Sequence, residues 1–318
     1  MKGAFPLFAW PQLLARLGQA LLTLLLLSLL TFVVAHATPG GPFGLDDPDQ
    51  AVRVPLEMRQ HYRQLYGLDQ PLATQYLRWL GRVLQGDFGV SYTYRNQTVQ
   101  QVLARTLPVS APLGLAAALL ALGVGAPLGL LAAARRGTWL DQLARLLAVS
   151  GAAVPAFVLS LLAVLIFSVG LRWLPLTGWG GPGRVILPIG ILALGPLGVI
   201  IRFTRAEGLE TLTSDFVRTA YAKGLHERQV LSRHVLRNAL LPALTLAGPL
   251  LAHLLTGSFF VETIFNIPGV GAAFVYAAAD RDYPLIMAGA LLSGSLVILL
   301  NLLVDVAYGL LDPRLRLA

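Results

Sequence analysis

The chain contains no cysteine and little charge. Among its 318 residues, 16 are acidic and 24 are Lys or Arg, so charged residues make up 13% of the total. The absence of cysteine excludes disulfide bonds and thiolate metal sites. The small charged fraction argues against a soluble domain, whose surface would need far more charge. The net charge of +8 could suit nucleic acid, but basic loops beside membrane spans explain it better, and we predict no nucleic-acid partner.

Long runs of apolar residues make up much of the chain. A helix crosses the hydrocarbon core with about twenty mostly apolar residues. Six stretches qualify, namely 17–37, 108–134, 143–169, 185–203, 239–260 and 284–311. The fourth is short, and we expect Pro188 and Pro196 to break it. Residues 35–37 imitate a signal-peptidase site, but the apolar run before them is longer than a signal core, so we expect this helix to be retained.

The Lys and Arg residues of the short loops predict the orientation. The loops at 135–145 and 202–237 are basic, whereas the loop after Val261 is acidic on balance. Because basic loops stay in the cytoplasm, both termini are predicted to be cytoplasmic. The predicted parts are a cytoplasmic N-terminus with the first transmembrane helix (1–37), an external segment (38–107), a transmembrane core (98–311) containing a cytoplasmic coupling loop (206–238), and a cytoplasmic tail (312–318). The predicted fold is an all-α membrane protein with six transmembrane helices.

The coupling loop is basic and amphipathic, and such a segment cannot lie in lipid. Thr213 or Ser214 can cap a helix that begins at Asp215, and Gly224 can end it in the left-handed conformation. A second helix is predicted from about Glu227 into the fifth span. A passive connection would need only a few residues, so we interpret the loop as a docking surface for a soluble partner.

Three segments of this loop form a recognisable pattern, namely TAYAKG at 219–224, RH at 233–234 and LRNALLP at 236–242. This pattern resembles the EAA loop of ABC-importer permeases, and more narrowly that of the dipeptide/oligopeptide/nickel permease family. Segments at 66–89, 262–271, 281–284 and 312–316 resemble other parts of that family in the same order. Arg218 departs from the general pattern, which has Glu there. The resemblance implies a type I ABC-importer transmembrane domain.

The resemblance also implies roles for particular residues. The residues implied in coupling to an ATPase are Asp215, Phe216, Thr219, Ala220, Tyr221, Ala222, Lys223, Gly224, His234, Asn238 and Pro242. The residues implied in the last external loop are Glu262, Pro268, Gly269, Gly271, Arg281 and Asp282. No catalytic, cofactor-binding or metal-binding residue is implied, and the chain is not expected to be an enzyme.

The partners follow from what the chain lacks and from the resemblance. No GxxxxGK[ST] loop is present to cradle ATP phosphates. The resemblance implies two cytoplasmic ATPase subunits, a second homologous and non-identical permease subunit, an extracytoplasmic substrate-binding protein and membrane lipid. The expected location is the cytoplasmic membrane of a bacterium or archaeon. Peptides are the leading substrate, with nickel chelates, oligosaccharides and other small solutes as alternatives.

Several other polar residues lie in or beside the predicted spans. His253 lies within the fifth span, where it could line a translocation path or bond to a neighbouring helix. Glu207 and Glu210 are expected to pair with Arg202, Arg205 or the helix dipole, and Asp305 is expected to bond between helices. A secondary transporter would call for inverted repeats and buried ion-coupling groups, and an intramembrane enzyme for a nucleophile–base pair within the spans; neither pattern is evident.

Overall fold

The computed structural model describes residues 10–42, 57, 60, 64, 66–94, 96–240, 242, 243 and 246–311. The predicted tail at 312–318 and much of the segment at 43–65 lie outside the described residues. The described part of the chain is helical, apart from its loops and one antiparallel bridge between Val90 and Thr98. Five helices are long and apolar enough to cross a membrane, and a sixth crossing is formed if one sharply bent pair counts as a span.

The described residues form twelve helices, numbered in chain order. They are α1 (Trp10–Ala37), α2 (Leu72–Val83), α3 (Val99–Ala134), α4 (Trp139–Ala153), α5 (Ala156–Ala163, continued by a π-helix at Val164–Gly170), α6 (Pro182–Leu212), α7 (Asp215–Ala222), α8 (Glu227–Val230, a π-helix at Leu231–Val235, and Leu236–Ala239), α9 (Ala247–Leu255), α10 (Phe259–Ile264), α11 (Val270–Ala279) and α12 (Tyr283–Leu311).

Helix α3 begins well before the predicted second span because a capping box fixes its start. The Thr98 hydroxyl accepts a hydrogen bond from the Gln101 N–H at 3.3 Å, and the Gln101 side-chain oxygen accepts one from the Thr98 N–H at 3.0 Å. Two otherwise unpaired N–H groups are satisfied in this way. From there α3 runs for 36 residues and contains three prolines.

The fourth span differs from its prediction. Instead of a short, broken segment, α6 is a continuous helix of 31 residues with Pro188 and Pro196 in its interior. It packs along both α3 and α4, with Leu197, Ile200 and Ile201 in the main core. In a membrane, packing against neighbouring helices can hold a helix together where a proline removes one hydrogen bond. Its last turns form the first part of the coupling loop.

The third span also differs, because its predicted continuous run is bent by 108° between α4 and α5. Pro155 precedes α5, and Val154 has extended backbone angles. A residue before proline is pushed out of the helical region, which explains the break. The fifth span begins at Ala247 rather than at 239, since α8 ends at Ala239 and Pro242 lies between the two helices.

Glycines let the spans cross closely. A side chain at Gly114 would overlap the Leu254 carbonyl of α9, and one at Gly151 would overlap the Leu194 carbonyl of α6. Close backbone approach through small residues is the usual way in which membrane helices associate.

The bundle has two ends. At the end that we call the coupling end lie Ala134, Leu212 and the coupling loop, and at the opposite end, which we call the far end, lie Ala37, Val99 and Tyr283. Arg16 of α1 pairs with Asp305 of α12 at 2.6 Å, which confirms the interhelical bond expected for Asp305.

Candidate functional site

The coupling loop contains the two predicted helices, α7 and α8. Helix α7 spans Asp215–Ala222, and Gly224 follows it with φ at +81°. This left-handed value suits glycine, as predicted. The predicted side-chain cap is wrong, because the Ser214 hydroxyl donates to the Thr211 carbonyl at 2.6 Å instead of accepting from the first turn.

One side of α7 is buried against the rest of the chain. Val217 and Ala220 pack with Val230, Leu231 and Val235 of α8 and with Leu130 at the end of α3. Ala220, which was predicted to couple to an ATPase, therefore lies inside the protein. The buried side joins α7 to two helices that lead into the membrane-spanning bundle.

The other side of α7 is exposed. Phe216 and Tyr221 are 47% and 43% exposed. The remaining exposed residues of the predicted coupling set are Asp215, Thr219, Ala222, Lys223 and Gly224. Phe216 and Tyr221 are five residues apart and point about 140° away from each other around the helix. They therefore lie on the two opposite edges of the buried side, where each ring is partly exposed to a partner.

The other predicted coupling residues lie on or after α8. His234 is partly exposed, and its carbonyl accepts a hydrogen bond from the Asn238 side chain at 3.1 Å. The π-helix at Leu231–Val235 shifts the register, so the buried side of α8 consists of Val230, Leu231, Val235 and Ala239. His234 and Asn238 are thus partly exposed and lie beside the buried side of α8.

A buried ion pair that the sequence did not suggest anchors the base of the coupling loop. Asp141 of α4 is 1% exposed, and Arg205 of α6 donates to its two oxygens at 2.6 and 3.0 Å. The Gly137 N–H adds a third hydrogen bond at 3.0 Å. The expected pairing of Arg205 with Glu207 or Glu210 is wrong. In the sequence, this pair could have been suspected because Asp141 is the single acid in the arginine-rich loop at 135–145.

At the far end, Glu262, which the resemblance assigned to the last external loop, lies in helix α10 and is fully buried. Its carboxylate accepts hydrogen bonds from the Ser110 hydroxyl of α3 at 2.7 Å and from the Ala272 N–H of α11 at 3.0 Å. A side chain at Gly269 or Gly271 would meet this carboxylate. The ETIF…IPGVG motif, in which Pro268 precedes these glycines, therefore encloses a buried acid.

Asp282 forms a second buried clamp at the far end. Its carboxylate accepts from the Ser91 hydroxyl, from the N–H groups of Tyr92 and Thr93 at 2.8 and 3.0 Å, and from the Leu285 N–H at 3.1 Å. The neighbouring Arg281 has a positive φ of 56°. Burial, with the Asp282 charge as the second cause, raises the pKa of Tyr92, so its phenol stays neutral.

His253 lies on the surface of the bundle rather than between helices. It is exposed on α9, at the middle of a segment long and apolar enough to cross the membrane. No hydrogen bond from its imidazole to another described residue is formed. Within the described residues, no cluster of His, Cys, Asp and Glu could hold a metal ion.

Comparison with known proteins places the chain in a family. Residues 125–317 match the model for the inner membrane component of binding-protein-dependent transport systems, and residues 11–114 match the model for its N-terminal part. The dipeptide transport system permease protein DppB of Lactococcus lactis subsp. cremoris is 42% identical over 96% of this chain and 99% of its own length.

Two further relatives agree with this assignment. DppB of Bacillus subtilis is 42% identical over 93% of the chain and 94% of its own length. The oligopeptide transport system permease protein OppB of Salmonella typhimurium is 40% identical over 96% of the chain and 98% of its own length. The chain belongs to the family of binding-protein-dependent transport system inner membrane components.

Proposed function

We propose that the chain is a permease subunit of an ABC importer that carries peptides across the cytoplasmic membrane. The names of its relatives support peptides as the substrate. The chain would form half of the translocation path beside a second homologous permease subunit. Two cytoplasmic ATPase subunits would supply the energy, and an extracytoplasmic binding protein would deliver the substrate.

The exposed outer side of α7, bordered by two partly exposed rings, is the observation that carries this proposal. Phe216 and Tyr221 lie on the two edges of the side that is packed against α8 and α3. A groove on an ATPase subunit that covered the outer side would contact both rings, with Asp215 and Lys223 between them. Because Val217 and Ala220 fix α7 to the bundle, a displacement of α7 would be passed on rather than absorbed by a flexible loop.

The translocation path would run along the surface that contains His253. An ionisable side chain facing lipid at mid-span is costly, and such residues usually face a protein interior or an aqueous cavity. His253 is exposed in the single chain. In the assembled transporter its side chain would therefore contact a second permease subunit or the water-filled path between the two subunits.

Cysteine crosslinking tests the docking directly, because the natural chain has no cysteine. Tyr221→Cys and Ala222→Cys, both at exposed positions, should crosslink to an ATPase subunit in the assembled complex. Ala220→Cys is the matched control, since it lies two residues from Ala222 but is buried. Absence of crosslinks at both exposed positions, in a complex that still hydrolyses ATP, would refute docking through α7.

Transport in proteoliposomes tests the energy source and the substrate class. With the four membrane and ATPase subunits and the binding protein present, peptide uptake should require ATP and should persist without an ion gradient. Phe216→Ala should reduce uptake at least tenfold while leaving the complex's fold intact. Uptake that depends on a gradient alone would overturn the proposal.

A further inference from the structure

A cavity at the far end of the bundle has no role in the proposed transport mechanism. It has a volume of about 460 Å³ and lies between α1, α2, the loop at 87–92 and the start of α12. Aromatic side chains form much of its lining, among them Phe32, Trp79 and Tyr92. Its polar lining includes Arg78, Arg82 and Asp87.

The cavity contains hydrogen-bond donors that are not used. Trp79 is 9% exposed, and its indole N–H has no hydrogen-bond partner among the described residues. A buried donor without a partner is costly, and a ligand oxygen that accepted from it would remove that cost. Among the described residues, neither Arg78 nor Arg82 forms an ion pair. Asp87 is the one lining carboxylate among the described residues, and it accepts a hydrogen bond from the Gly89 N–H at 2.9 Å.

Helix α2 places these donors at one level of the bundle. Arg78 and Arg82 are four residues apart, so they share a side of the helix. On the packed side, the Tyr76 hydroxyl is 2.9 Å from the Ser28 hydroxyl of α1, and its ring contacts Phe32 edge-on. Trp79 packs in the same cluster with Met287 of α12. The helix therefore lies across the far ends of the first and last spans.

Exposed leucines accompany the arginines of α2. Leu77 lies on α2 and Leu84 directly follows its last residue, and both are exposed. Along α1, leucines such as Leu25 and Leu29 are also exposed, as expected for a span that faces acyl chains. A helix with exposed leucines, aromatic residues and arginines at the end of a span has the features of a helix lying in the membrane interface.

We propose that this cavity binds the headgroup of an anionic phospholipid. Arg78 and Arg82 bind the phosphate, and the Trp79 N–H donates to a phosphate or glycerol oxygen. Arginine is suited to this because its planar fork matches two phosphate oxygens. The acyl chains then lie along the exposed leucines of α1 and α2, a position that a free phosphate ion has no reason to prefer.

Native mass spectrometry of the complete complex in detergent provides the test. The complex is titrated with phosphatidylglycerol, with zwitterionic phosphatidylcholine for comparison and sn-glycerol 3-phosphate as the soluble headgroup. The variants are Arg78→Gln with Arg82→Gln, the charge-preserving Arg78→Lys with Arg82→Lys, and Trp79→Phe. Arg105→Gln is the control, because it removes a positive charge near the start of α3, outside the cavity.

The expected result is saturable binding of phosphatidylglycerol that weakens at least tenfold in the double Gln variant, a loss on the scale of one charged hydrogen bond. The Lys variant should retain part of the binding, because lysine keeps the charge but cannot bind two phosphate oxygens at once, and the Arg105→Gln control should retain all of it. Trp79→Phe should weaken binding severalfold. If Trp79→Phe fails to fold, the exposed arginine variants still decide the question.

Three results would overturn the proposal. Equal binding of both lipids, or of phosphatidylglycerol to all variants, would show that the cavity does not recognise the anionic headgroup. Competition by sn-glycerol 3-phosphate at the same concentration as the lipid would assign the cavity to a soluble phosphate. Loss of binding-protein association in the Gln variant, with lipid binding unchanged, would assign it to protein docking.

Discussion

Removing either partner of the Asp141–Arg205 pair should destabilise the protein more than removing any other ion pair described. Asp141 is 1% exposed and accepts both Arg205 nitrogens, whereas the Arg205 side chain is 20% exposed. Breaking a buried pair leaves an unpaired charge and costs about 3–5 kcal/mol. Because Arg205 still contacts water, we expect Asp141→Ala to cost about 3 kcal/mol, at the lower end of that range.

The free energy of unfolding would be measured by denaturant titration in detergent micelles, followed by far-ultraviolet circular dichroism. The matched control is Asp215→Ala. Its carboxylate lies 3.6 Å from Arg218 with both side chains largely exposed, and an exposed pair contributes about 0–1 kcal/mol. Arg205→Lys should recover part of the stability, since lysine keeps the charge but cannot bind both oxygens.

The double variant, Asp141→Ala with Arg205→Ala, separates a true pairing from two independent losses. When both charges are removed no unpaired buried charge remains, since Arg145, which also lies 3.6 Å from Asp141, is largely exposed. The cost of the double variant should therefore be smaller than the sum of the two single costs. A strictly additive double variant, or an Asp141→Ala cost equal to that of Asp215→Ala, would refute the reasoning.

Two further predictions concern packing and the buried acid of α10. Gly114→Val should lower the free energy of unfolding by about 1–3 kcal/mol, because the new side chain must push α3 away from the Leu254 carbonyl. Gly123→Val is the control, since Gly123 has open space within 4 Å, and it should change that free energy by less than about 0.5 kcal/mol. Equal melting temperatures for the two variants would contradict the prediction. Glu262→Ala removes the acceptor of the Ser110 O–H and of the buried Ala272 N–H and should cost about 1–3 kcal/mol. Glu262→Gln should restore part of the loss in the same melting experiment, and a Glu262→Ala melting temperature like that of the natural chain would rule out the clamp.

Features governed by local chemistry could be predicted from the sequence. The first and last spans follow from an unbroken apolar run, and the observed helices α1 and α12 match them. The bounds of α7 follow from an acid suited to a helix start and from a glycine that can adopt the left-handed conformation, and Gly224 does so. Such signals act over a few residues and do not need knowledge of the neighbours.

Features governed by packing could not be predicted. The break predicted at Pro188 and Pro196 was wrong, because α6 continues through both prolines and Pro188 is buried. In the third span no break was predicted, although Pro155 directly precedes a new helix. Asp141 and Arg205 are 64 positions apart in the chain, so no local pattern pairs them. The resemblance assigned Glu262 to the last external loop together with Gly269 and Gly271, but that these glycines pack against its buried carboxylate follows only from the three-dimensional contacts.

The distribution of buried acids indicates which parts of the bundle can move. At the far end, Glu262 and Asp282 are fully buried and hold α3, α10, α11 and α12 through several hydrogen bonds each. At the coupling end, the Arg135–Glu227 pair at 3.5 Å is half exposed, and exposed pairs can part at little cost. A force applied to α7 would therefore rearrange the coupling end first. Since Asp141 ties α4 to α6, these two helices would move together, and their motion would reach the far end through α6 and through α3, which packs along it.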